Sequence, residues 1–269
     1  MRYVSNEGLR FILPLRNPMR LDHRAPAAWR EPSIQRGLQA YPEGSVLYTC
    51  GGTRVLVAAS IEPGVPGFLE GKKRGWLTAE YAMHPRANPT RQSRDGRKGR
   101  VDGRSQEIQR LIGRALRATL NFDALGERTI TIDCDVLNAD GGTRTASVTA
   151  GFIGLALALD ALHREETMSQ PPLQSMAAAI SVGLVKGQIL VDLDYQEDSQ
   201  ASFDLNVVGT QQGELIEVQG TAEEGPVARA QVDTMIDQAL NAIQQLTQFQ
   251  RQCLQQAEVD LQHLLAPSA

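Results

Sequence analysis

The sequence predicts an α+β domain with mixed sheets packed on helices and a long helix towards the C-terminal end. Three observations carry that prediction. Segments alternating between apolar and polar residues come in pairs around tight-turn signals, the pattern of β-hairpins. Segments with apolar residues at helical spacing are intermixed with them rather than segregated. No Ser/Gly linker and no repeat of fixed period divides the 269 residues, whose 42% apolar content suffices for one large domain or two small ones.

Residues 1–42 are rich in Arg and Pro and lack periodicity, so they read as irregular with one short strand. A second methionine, Met19, opens Met19-Arg20-Leu21-Asp22-His23-Arg24 and is a candidate translation start. Strands are predicted over 46–50 and 54–61, joined through Gly51-Gly52, and over 76–83. The stretch 85–104 is too polar and Gly-rich to be core. Ser105 is a candidate cap for a helix carrying Ile108, Leu111, Ile112, Ala115 and Thr119 at helical spacing, which places Arg104 just ahead of that helix. An alternating strand over 129–137 leads through Asp140-Gly141-Gly142-Thr143-Arg144-Thr145 into a small-residue, apolar helix over 146–162. Hairpins are predicted for 176–185 with 188–195 and for 203–210 with 214–220. From residue 229 to 265, Val232, Met235, Ile236, Ala239, Ile243 and Leu246 recur at helical spacing, giving one long helix or two consecutive ones.

The net charge of −4 conceals an asymmetry. Residues 72–104 hold ten Lys/Arg against three acidic residues, whereas residues 191–269 hold thirteen Asp/Glu against two Arg. This disfavours a general nucleic-acid coat. A basic arm beside an acidic half suits an enzyme that grips a polyanion in one place and does chemistry in another, with a solvated charge run as the plainer alternative. The longest apolar run, residues 151–159, falls well short of the ~20 residues that span a bilayer, so no membrane association is expected. Residues 1–10 lack the apolar core of a secretory signal. Cys50, Cys134 and Cys253 lie far apart without Cys-x-x-Cys spacing and read as reduced thiols of a cytoplasmic protein. His23, His84, His163 and His263 show no zinc-ligand spacing.

Two short stretches carry candidate chemistry. In the turn from Asp140 to Thr145, two glycines let successive backbone N–H groups face one point. Thr143 adds a hydroxyl donor, Arg144 a planar five-donor fork and the helix N-terminus a partial positive charge, which together make a phosphate cradle. A strand-to-helix turn with an exposed Arg is the competing reading. Further on, Asp198 lies in a loop after a strand and Asp204 begins the next strand. Converging carboxylates suit Mg²⁺; unpaired, their repulsion raises one pKa and supplies a general acid instead. A solvated acidic loop is again the plainer alternative. A Walker-type loop, a Cys/His nucleophile pair and a His poised by motif as a base are all missing from the sequence. The set therefore suits phosphoryl chemistry on nucleic acid, with inorganic phosphate as a nucleophile that needs no base.

Further segments extend the pattern: Glu43-Gly44-Ser45-Val46-Leu47, Gly75-Trp76-Leu77-Thr78-Ala79-Glu80-Tyr81, Gly103-Arg104 followed by Glu107-Ile108-Gln109-Arg110-Leu111-Ile112, Asp133-Cys134-Asp135-Val136-Leu137, and Glu217-Val218-Gln219-Gly220-Thr221-Ala222-Glu223. With these in this order, the chain resembles the ribonuclease PH family of phosphorolytic 3′→5′ exoribonucleases from about Arg20 to about Ala242. The resemblance implies two βαβα-type halves in one domain over 19–245, a helical tail over 246–269, and a hexamer built as a trimer of dimers. Residues 1–18 have no counterpart and are expected to be an extension or a start-site artefact. The resemblance places the family's phosphate site on Arg104, Gly142, Thr143 and Arg144, and its metal or general-acid carboxylates on Asp198 and Asp204. Its tRNA-gripping arginines fall on Arg86, Arg91 and Arg94. The implied reaction is attack by inorganic phosphate on the last 3′ phosphodiester of a tRNA precursor or other structured RNA, with Mg²⁺ as cofactor. It releases a nucleoside 5′-diphosphate and is reversible.

The chain departs from the family pattern in places. His23 stands where Gly is usual, His84 where Leu is usual, Leu205 where Met is usual, and Glu224-Gly225-Pro226-Val227 alters a Gly-x-Pro-Phe order. None of these removes a charged site residue. The alternative function is a catalytically inactive, RNA-binding ring subunit.

Overall fold

The structure, a computed structural model, describes residues 20–94, 101–166 and 168–267. The expectations about residues 1–18 and the start at Met19 lie outside the described residues.

The first half comprises strands β1 (Pro32–Arg36), β2 (Gly44–Cys50), β3 (Thr53–Pro63) and β4 (Trp76–Met83), helices α1 (Gly103–Arg117) and α2 (Phe122–Leu125), strand β5 (Arg128–Asn138) and helix α3 (Thr143–Glu165). The second comprises β6 (Ala177–Val185), β7 (Gln188–Val191), helix α4 (Tyr195–Asp198), β8 (Ala201–Thr210), β9 (Leu215–Ala222) and helices α5 (Arg229–Gln256) and α6 (Leu261–Leu264). Each half contributes a sheet: β1-β2-β3-β5-β4, with β4 and β5 parallel, and the antiparallel β7-β6-β8-β9. This is the mixed α/β arrangement expected, with two sheets packed on helices and a long C-terminal helix.

Period-two burial explains the first sheet. Val46 and Tyr48, Val55 and Val57, Leu77 and Tyr81, and Ile130 and Ile132 point to one face and join a core with α1 and α3. Small residues on α3 let it lie close: a Cβ on Gly44 would sit 2.1 Å from the carbonyl oxygen of Gly154. By length and composition α3 could cross a membrane, but 89% of its most apolar window is buried inside the protein, as befits a core helix. β6 is buried along its whole length because α3 lies against it on one side and α5 on the other. α5 lays Met235, Ala239, Ile243 and Leu246 onto the second sheet and runs unbroken past residue 246. The three cysteines are free, with Cys50 and Cys134 buried.

Some local expectations change. The strand predicted over 188–195 ends at Val191, and Asp198 lies in a short helix rather than a loop. Asp192 has φ 57°, which ends the strand, and Asp194 then caps α4 through a reciprocal capping box with Glu197. The cap position of α1 belongs to Asp102, so Ser105 and Arg104 both lie inside the first turn, not at and ahead of its start.

His23 has φ 63°, the left-handed region that glycine enters freely. That conformation costs an L-residue roughly 1–2 kcal/mol, offset by the greater unfolded-state entropy of glycine at about 0.5–1 kcal/mol. His23 is exposed, so His23→Gly loses no packing. We expect that variant to gain up to about 1 kcal/mol, read as a higher midpoint in urea denaturation.

Candidate active site

The N-terminus of α3, the first turn of α1, α4 and the β8–β9 ladder converge on one cleft of about 1540 Å³. Arg104, Gly142, Thr143, Arg144, Asp198 and Asp204 all line it.

The phosphate cradle has the geometry the turn predicts. Gly141 and Gly142 have φ 72° and 64°, and a Cβ on Gly141 would sit 2.3 Å from the Leu193 carbonyl oxygen. Gly142 is the N-cap of α3, and no capping side-chain hydrogen bond forms there among the described residues, which leaves the first-turn N–H groups directed at the cleft. The Tyr81 hydroxyl donates to Thr143 Oγ1 at 3.0 Å. That contact holds the Thr143 hydroxyl in place at the helix end. The Arg144 guanidinium donates from Nη1 to Gln219 Oε1 at 3.2 Å, with Glu107 Oε2 3.6 Å away. Arg104 reaches the same space, since its charge and that of Arg144 both act on Tyr81 and on Asp198.

The carboxylates come from the opposite wall. In β8, Leu205 and Val207 pack under α5, so Asp204 and Asn206 face the cleft. Asp204 pairs in register with Gly183 and Thr221, and Asn206 with Ser181 and Gln219. Asn206 Nδ2 donates to Asp204 Oδ2 at 3.0 Å, while Asp204 Oδ1 is buried without a hydrogen-bond partner among the described residues. Burial, then the charge of Asp198, push Asp204 up to about 6. Burial also raises Asp198, against the pull of Arg104 and Arg144. An unpartnered carboxylate oxygen beside a second carboxylate fits a hard divalent cation, which for Mg²⁺ is commonly held by one or two carboxylates plus water and substrate phosphate.

Arg86, Arg91 and Arg94 are not brought into this cleft. They are exposed on the arm after β4, whose neighbouring residues Asn88, Thr90 and Gln92 form part of the cleft wall. Residues 95–100 of that arm lie outside the described residues.

Models of a 3′ exoribonuclease family match in two consecutive pieces, domain 1 over residues 28–159 and domain 2 over residues 175–242. The chain belongs to this family, that of ribonuclease PH. Among solved structures, rice (Oryza sativa) Rrp46 superposes with TM-score 0.71 at 19% identity, covering 87% of this chain and 100% of that one. The Archaeoglobus fulgidus exosome with RNA bound to the active site gives TM-score 0.72 at 22% identity, covering 87% and 93%. An archaeal exosome core gives 0.67 at 18%, covering 86% and 91%. At these identities the likeness is one of fold.

In this ribonuclease PH family member, sequence reasoning overlooked Tyr81, Glu107, Asn206 and Gln219, which tune or hold the charged groups. Asn206 was within reach, since its two-residue spacing from Asp204 on a strand puts both on one face. Tyr81 and Gln219 carry no such signal, because strand pairing and helix packing bring them to the site.

Proposed function

We propose that the protein is a phosphorolytic 3′→5′ exoribonuclease that trims the 3′ ends of tRNA precursors and other structured RNA. The observation that carries this is the convergence of an uncapped helix N-terminus, two arginines and two carboxylates in one cleft. Free inorganic phosphate fits the α3 end, where the backbone N–H groups, the Thr143 hydroxyl and the guanidinium groups of Arg104 and Arg144 hold it and offset its repulsion from the scissile phosphate. One of its oxygens forms a bond to the terminal phosphorus as the bond to the preceding 3′ oxygen breaks. The products are a nucleoside 5′-diphosphate and an RNA one residue shorter, whose 3′ oxygen takes up a proton. Asp198 and Asp204 would hold Mg²⁺, which when bound supplies charge stabilisation at the departing oxygen. The exposed arginines Arg86, Arg91 and Arg94 suit the RNA backbone further from the cut. We further propose that six such chains form a ring and that the protein works in the cytoplasm.

The test is phosphate dependence. Purified protein with Mg²⁺ should shorten a tRNA bearing extra 3′ nucleotides only when phosphate is present, releasing diphosphates. With excess nucleoside diphosphate it should lengthen RNA. Monophosphates released without phosphate would mean hydrolysis. No shortening under any condition, with RNA still bound, would mean an inactive ring subunit.

A further inference from the structure

Given the role proposed for Asp198, we infer that Arg20 is a positioning residue for its carboxylate, acting through Glu197 from the segment that precedes β1. Arg20 is 5% exposed. Its Nε donates to Glu197 Oε1 at 2.7 Å and its Nη2 to Glu197 Oε2 at 2.5 Å, a two-pronged ion pair. Its remaining donors go to the backbone of the same loop and of its own segment: Nη2 to Asp192 O at 2.7 Å, Nη1 to Val191 O at 2.8 Å and to Ala28 O at 3.0 Å. One buried guanidinium thus grips both the start of the β7–α4 connection and the residue directly before Asp198.

That connection needs a grip. α4 has four residues, far too few to hold a helical conformation on local energetics. The turn leading into it passes through Asp192 at φ 57°, a strained conformation for a side-chain-bearing residue. Asp192 is buried and held by Arg30, from Nε to Oδ2 at 2.8 Å and from Nη2 to Oδ1 at 2.7 Å, with Arg24 Nη1 3.2 Å from Oδ2. Arg30 fixes the turn and also reaches the cradle, donating from Nη1 to Asp140 O at 2.5 Å. Arg20 instead secures α4, on the far side of the turn, through Glu197. Glu197 in turn accepts from the Asp194 N–H at 3.1 Å, and the Asp198 N–H donates to Asp194 O at 2.9 Å, so the orientation set at Glu197 is passed to Asp198 through the single turn of α4.

Two substitutions separate positioning from general stability. Arg20→Met removes the fork, and Glu197→Gln removes one charge while keeping an acceptor for the Asp194 N–H. The readouts are thermal melting, hydrogen exchange of residues 192–200 against residues 141–150, kcat and phosphate KM, and Mn²⁺ affinity by electron paramagnetic resonance. In protein that stays folded, exchange should rise in 192–200 and not in 141–150. Turnover should fall about tenfold or more and Mn²⁺ should bind about tenfold more weakly, as for other groups that orient a ligating side chain, with phosphate KM within about twofold of the parent. Unchanged turnover and Mn²⁺ affinity in folded Glu197→Gln would overturn the inference, as would equal damage to phosphate KM and turnover. If Arg20→Met does not fold, Glu197→Gln decides. If the parent protein shows no phosphorolysis, it is the proposed reaction that fails, and Mn²⁺ affinity with hydrogen exchange then decides on Arg20.

Discussion

Arg144→Ala should lower phosphorolysis of an RNA 3′ end by at least about tenfold, with the loss appearing largely as a raised phosphate KM. A charge-assisted hydrogen bond contributes ~1.5–3 kcal/mol, and about 1.4 kcal/mol corresponds to one decade. Arg144 lies in the first turn of α3, where its charge adds to the exposed backbone N–H groups. Its loss has a second effect. Glu107 Oε2, 3.6 Å from Arg144 Nη1, would keep its negative charge beside the incoming phosphate with less to offset it. Arg144→Lys should recover part of the loss, because an ammonium keeps the charge without the planar fork that spans Gln219 and a phosphate. Steady-state rates over a range of phosphate concentrations check both variants. An unchanged KM in Arg144→Ala would place the phosphate elsewhere.

Asp204→Asn should make the metal-free protein more stable at neutral pH while lowering turnover by about 100-fold or more. The stability half follows from linkage. Asp204 is raised from 3.8 to about 6 by burial and by Asp198. Between those values the folded protein holds a proton that the unfolded chain has lost, so stability falls as pH rises through the window. The favourable contribution is complete below 3.8 and gone above about 6. An uncharged Asn carries no such penalty and should flatten the profile, as measured by urea denaturation between pH 4 and pH 7 in chelator. The activity half follows because the amide can neither share a divalent ion as a carboxylate does nor donate a proton as an acid, roles typically contributing about 10²–10⁴-fold. A variant that is no more stable than the parent at pH 7 would mean that Asp204 is not held against its charge.

The chemistry was readable where it is local in the chain. The cradle from Gly141 to Arg144 is a contiguous turn, so glycine freedom, the Thr hydroxyl and the helix end could be placed from the sequence. Asp204 was readable as a strand residue. Asp198 reads as a loop residue because the alternation of residues 188–195 masks the capping box of Asp194 and Glu197. The Ser105 cap failed because the extended φ and ψ of Asp102, three residues earlier, put the helix start there, with no side-chain capping hydrogen bond from Asp102 among the described residues.

By itself, the sequence determined most of the strands and hairpins, the core helix α3, the long C-terminal helix and the identity of the charged groups. Those features depend on periodicity and on short turns, which act over a few residues. The tertiary structure alone decided that Arg104, Arg144, Asp198 and Asp204 share one cleft, that Tyr81 meets the Thr143 hydroxyl, and that Arg20 grips Glu197 across 177 positions of chain. Such contacts leave no periodic trace, since they depend on how helices and sheets pack rather than on neighbours in sequence.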